Sequence, residues 1–147
     1  MSIEAGIIAY LETKKSVTDI TGAGAASRIR AAYFEEGDIQ VGPGAIVMGS
    51  GNASTPFMGG VTNTSSGTVT IDCWASEYKS ANELAAAISN VVNGYRGFMG
   101  DSNVKACFVQ QVIDVPPEIA PELRDLNMCG RRVELYLLVE ETSPTFA

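Results

Sequence analysis

The sequence predicts an α+β domain: a mostly antiparallel sheet of about four strands with two helices packed on one face. Three stretches carry that expectation. Thr68 to Ala75 alternates, with Val69, Ile71 and Cys73 on one side and Thr70, Asp72 and Trp74 on the other. Leu84, Ile88, Val91 and Tyr95 recur at helical spacing. Arg132 to Glu141 alternates again, placing Val133, Leu135, Leu137 and Val139 on one face.

The elements follow in chain order. From Ile3 to Lys14, Ile3, Ile7, Tyr10 and Leu11 make one helical stripe, with Ser2 as its N-cap. Val17 to Ile20 adds a short extra turn, and the Gly22–Ala–Gly–Ala–Ala run ends the element. Ile39 to Met48 reads as an extended segment interrupted by Gly42–Pro43–Gly44, with a short buried strand at Ala45–Met48. Pro43 cannot donate to a ladder, which suggests an edge or a bulge there. Residues 49–67 are dominated by Gly, Ser, Thr and Asn and carry no charge. They are expected as a long flexible loop, or as a hairpin arm ordered against a partner. After the strand at 68–75, Ser80–Ala–Asn–Glu83 fits a capping box that opens the second helix. Ala81 and Ala85 to Ala87 let that helix approach a sheet, and Gly94 and Gly97 are its stop signals. Val104 to Ile113 is a further strand, whose adjacent Phe108 and Val109 suggest cover on both faces. Asp114–Val–Pro–Pro117 stops it. A proline-rich connection then leads to the last strand and a short tail at 143–147. One domain accounts for all 147 residues.

Composition excludes whole classes of function. Hydrophobic residues make up 46% of the chain, enough for a real core. Seventeen acids against ten bases give a net charge of −7, which does not draw in nucleic acid or an anionic membrane by charge. No histidine is present, so imidazole bases, Ser/His/Asp triads and most zinc sites are ruled out. Cys73, Cys107 and Cys129 are dispersed and odd in number, which fits free thiols in a reducing compartment. The opening residues carry Glu4 and no basic run, unlike a signal peptide. No apolar window is long enough for a membrane helix.

Local motifs point to no chemistry. Gly22–Ala–Gly and Gly49–Ser–Gly resemble phosphate loops, but neither has the strand before and helix after that would converge amides on a phosphate. Asp72 with Glu77, Lys14–Lys15, Arg28 with Arg30, and Arg131–Arg132 all read as ordinary solvated charge. The sequons at Asn52 and Asn63 are chance matches in a chain that is not secreted. No catalytic, cofactor or metal residues are therefore expected. Three candidates remain for a protein interface: Trp74, and Phe57 with Met58 inside the uncharged stretch.

The strand Val69–Thr–Ile–Asp–Cys–Trp–Ala75, the helix Ser80–Ala–Asn–Glu–Leu–Ala–Ala–Ala–Ile88 and the Val91–Val–Asn–Gly94 stop resemble the tail completion, or tail terminator, proteins of long-tailed bacteriophages. The opening helix and Arg28–Ile29 also fall where that family has its first helix and first extended piece. The resemblance implies a non-enzymatic virion protein. It would form a hexameric ring that caps the tail tube and offers the surface for joining the head. Its partners would be its own copies, the tail tube protein and a head-completion or neck protein, with assembly in the host cytoplasm and no cofactor. DNA would pass through the lumen without specific binding. A domain of this size is about 38 Å wide, so six in a ring leave a hole that a duplex of about 20 Å can cross. The net negative charge suits a conduit for DNA, with acids lining the lumen. The neighbouring head-completion adaptor is the alternative within the virion, and a small-molecule-binding α+β module the alternative outside it.

Overall fold

The period-two stretches form the middle of one sheet. A computed structural model describes residues 3–22, 27–31, 43–57, 60–100, 102–115 and 129–140, with backbone alone at 3–4, 50–65 (less 58–59) and 102. Helices α1 (Ile3–Glu12) and α2 (Lys15–Thr21) come first. Strands β1 (Ile29–Ala31), β2 (Gly44–Phe57) and β3 (Gly60–Ala75) follow. Helix α3 (Tyr78–Val92) leads to β4 (Gly97–Met99), β5 (Ser102–Asp114) and β6 (Cys129–Glu140). The strands lie in the order β1-β2-β3-β6-β5-β4. β1 runs parallel to β2, and every other pair is antiparallel.

The expected four strands and two helices are thus corrected to a six-stranded mixed sheet, curled into a half-barrel, with three helices. The two strands not foreseen are three residues long, too short for alternation to register. β1 adds the parallel pairing, which no local pattern encodes. The turn expected at Val17–Ile20 is a helix of its own, α2.

Residues 49–67, read as a loop or a hairpin arm, pair as the outer lengths of β2 and β3. Two register irregularities, at 49/52 and 54/56, bend this ribbon. β6 accompanies β3 only from Thr64 onward, so the end of the ribbon reaches past its neighbour.

One face of the sheet buries Ala45, Val47, Val69, Ile71, Cys73, Val104, Cys107, Val133, Leu135 and Leu137. Ile7, Tyr10 and Leu11 of α1 pack onto it, with Leu84, Ala85, Ile88 and Val92 of α3. Of the predicted stripes, Ile7, Tyr10, Leu11, Leu84 and Ile88 are buried, whereas Val91 and Tyr95 are only partly so, Tyr95 lies past the end of α3, and the Ile3 side chain is outside the described residues. Gly6 lets α1 close on β4, since a β-carbon there would collide with the Met99 carbonyl. The Tyr10 hydroxyl donates to the Val91 carbonyl at 2.5 Å, tying α1 to α3. Arg28, expected as surface charge, is instead a clip. Its Nε donates to the Pro43 carbonyl and an Nη to the Ile20 carbonyl, both at 2.8 Å.

The capping box is also corrected. α3 begins at Tyr78, with Glu77 at its N-cap and no side-chain cap, which puts Ser80 inside the first turn. The tyrosine accounts for the early start: its hydroxyl donates to Asp114 and accepts from Arg131, both at 3.2 Å. At the other end Gly94 turns the chain with φ +81°, a conformation that favours glycine.

Candidate functional site

The face away from the helices is built by the alternate residues of the same strands. Its lowest row joins Gly44, Trp74 and Gly130. Trp74 is 4% exposed. A β-carbon on Gly130 would lie 2.7 Å from the Trp74 ring, so the indole occupies the space that the glycine leaves open. Phe57 ends β2, with its side chain outside the described residues, as is all of Met58. Gly44 pairs with Trp74 at one end of β2 and Phe57 closes the other, about 40 Å apart at strand rise. Trp74 and the Phe57 backbone therefore lie at opposite ends of β2.

One row up, Ile46, Asp72, Arg132 and Ile113 lie side by side. Asp72 is 3% exposed. It accepts two hydrogen bonds from Arg132, Nε to Oδ1 at 2.7 Å and Nη2 to Oδ2 at 3.0 Å. This two-point geometry offsets the cost of burying a carboxylate. The Asp72 hydrogen bond holds the Arg132 guanidinium above its ordinary pKa. The pair read as surface charge in the sequence is structural. Asp72 also has no carboxylate neighbour within the row, so no acid/base pair arises.

The higher rows are more open. Glu134 accepts from Gln111 at 2.7 Å. Tyr136 pairs with Phe108, which is 53% exposed. Phe98 on β4 is 64% exposed. Sequence reasoning expected Phe108 to be covered and passed over Phe98. The cover expected over Phe108 is absent because β5 shifts register at 104/106 and 109/111, which resets which side of the strand each residue faces. Phe98 sits in a strand too short to show a pattern.

A second charged cluster closes the far end of the helix face. Arg131 donates to Asp114 at 2.8 Å and stacks over the Tyr78 ring. The Arg131 hydrogen bond holds the Asp114 carboxyl below the usual aspartate range. Lys105 does the same for Glu140, at 3.0 Å.

Burial pushes the Cys107 thiol up to about 11 and the Cys73 thiol higher still, so neither is a ready thiolate. No group of three metal-ligating side chains occurs among the described residues, and no described helix is long and apolar enough to cross a membrane. What the surface does offer is exposed aromatics, paired charges and two sheet borders, the features of a protein contact.

No family model matches the chain, and no curated protein matches it in sequence. Among solved structures it is similar to a chain from the virion of a native gene transfer agent particle. The TM-score is 0.68 at 13% identity, over 95% of each chain. At that identity the likeness is one of fold.

Proposed function

We propose that this chain is a structural component of a phage-like virion, acting as a single-domain tail terminator. In this reading its copies form a ring, six in number, that caps the tail tube and receives the head-completion or neck protein. The observation that carries the reading is the fold shared with a virion chain across 95% of both lengths. The strand-helix pattern of Val69 to Gly94 supports it independently, because it resembles tail terminators in sequence. The absence of histidine, the raised thiols and the paired carboxylates fit a protein that binds and does not turn over.

The role asks for a stiff subunit and an anionic passage. Stiffness comes from four long strands backed by α1 and α3. The net charge of −7, repeated around a ring, repels a passing duplex instead of holding it. Acidic residues would line the opening, and the Phe57–Met58 end of the ribbon would contribute to contacts with neighbours.

The test is direct. The purified chain is examined by native mass spectrometry and negative-stain microscopy, alone and with isolated tail tubes. Rings of six with an opening of at least about 20 Å, seated on tube ends, are expected. A chain that stays monomeric with and without tubes would overturn the reading, and rings that bind head portals but never tubes would turn it to the neck adaptor.

A further inference from the structure

Tracing the pairings across the sheet resolves it into rows of residues at successive heights. A low row runs Ile29, Ala45, Cys73, Arg131, Asp114, with β1 at one border and β5 at the other. A high row runs Ser54, Ser65, Val139, Val104, Gly97, with β2 at one border and β4 at the other. Each of these rows is five strands wide. Between the two heights the sheet steps sideways by one strand. Among the described residues the first border therefore projects low, at β1, and is recessed high, along β2. Among them the second is recessed low, along the end of β5, and projects high, at β4.

The two steps are complementary. Placed head to tail at equal height, β4 of one copy enters the recess beside β2 of the next, while β1 of the next enters the recess beside β5 of the first. Strand directions give a parallel β4–β2 pair and an antiparallel β5–β1 pair. Both are ordinary ladders, and together they form a heterologous contact with no rise along the strands, which is what closure into a ring requires. Between the two heights the β5 border is already occupied. Gly94 donates its N–H to the Cys107 carbonyl at 2.7 Å, and Val109 N–H donates to Asn93 Oδ1 at 3.1 Å. The contact is thus split into a high and a low patch.

The chemistry of the borders favours a second copy as the occupant. Two chains of net charge −7 repel one another. The stretch from Gly44 to Ile71, which makes the recessed border, contains no charged residue. An oppositely charged partner would seek the acids instead. A long uncharged strand border is also what natural sheets normally guard with lysine or other charges, and among the described residues no strand lies beyond β2 past Val47. On the high patch, Phe98, 64% exposed, meets the uncharged border.

We infer that neighbouring copies of this chain join by strand addition, β4 beside the upper part of β2 and β5 beside β1. This rests on the ring reading above and specifies how its subunits meet. Main-chain N–H and C=O groups carry the recognition, as in other strand-addition contacts.

The experiment is cross-linking between two populations of the full chain. Each carries Cys129→Ser; one also has Thr55→Cys, the other Phe98→Cys. Ser54 shares the row of Gly97, so the proposed β4–β2 pairing sets the Thr55 backbone one step along from that row, beside Phe98 of the neighbour. Mild oxidation of the mixture is expected to give a covalent dimer, and either variant alone is expected to give none. A separate Phe98→Asp variant should raise the concentration for half-assembly at least tenfold without changing the far-ultraviolet circular dichroism. Oligomers that form normally while the mixture fails to cross-link would overturn this contact and leave the ring reading standing. Cross-linking of Thr55→Cys with itself would overturn it in favour of a two-fold pairing of β2. A wild-type chain that never self-associates would overturn both.

Discussion

Gly130→Ala is the sharpest probe of the packing, because the structure sets both the sign and the size of its effect. The added β-carbon would sit 2.7 Å from Trp74 Cζ3 and 2.9 Å from Cε3 and Cη2. Three atoms of a rigid ring must move together, and the ring is 4% exposed with little room to go. Overpacking of this kind costs about 1–3 kcal/mol. Losing the extra freedom of glycine in the unfolded chain returns about 0.5–1 kcal/mol. The clash wins, and a net destabilisation of about 1–2 kcal/mol is expected. At this chain length that lowers Tm by about 2–4 °C per kcal/mol. Urea unfolding followed by far-ultraviolet circular dichroism measures it, a signal that survives when Trp74, the single tryptophan, is itself replaced. The double mutant with Trp74→Ala closes the cycle. In that background the ring is gone and Gly130→Ala should be neutral or mildly stabilising. An alanine that leaves the unfolding midpoint unchanged with Trp74 in place would refute the reasoning.

Other outcomes follow from the polar contacts. Arg132→Ala leaves Asp72 buried without its partner and is expected to cost about 3–5 kcal/mol, whereas replacing both by leucine should recover most of that loss in the same urea assay. The Asp114 carboxyl titrates below its ordinary range because of Arg131, so its contribution to stability is full above the unfolded aspartate pKa. That contribution is lost as pH falls through the lower folded value; Arg131→Gln should therefore narrow the stability gap to wild type on acidification below about pH 4. With Ellman's reagent at pH 8, native protein should show reaction at half-exposed Cys129 alone, with Cys73 and Cys107 reacting after denaturation.

The sequence made some parts of this molecule plain and hid others for definite reasons. β6 and the lower half of β3 were legible because one face is apolar and the other is not, so period two survives in Val133, Leu135 and Leu137. α3 was legible from Leu84, Ile88 and Val91, although its start was not: Tyr78 is held by groups on β5 and β6 that lie far away in sequence. β1 and β4 were illegible because three residues hold no period, and because β1 pairs in parallel across an intervening stretch. The site was harder still. Trp74 looks like an exposed aromatic until Gly130 is seen to lie beneath it. Phe108 looks covered until the irregularities of β5 are known. The stepped borders follow from register alone, and register has no local signature.

The turn formed by Asn93 and Gly94 has a consequence for solubility. By bonding Cys107 and Val109 it caps the stretch of the β5 margin that no described strand covers just below β4. An uninterrupted margin there would accept any extended chain and invite fibre growth. With that plug in place a newcomer must fit two short berths at once, so indiscriminate polymerisation is disfavoured and a subunit of matching outline is admitted.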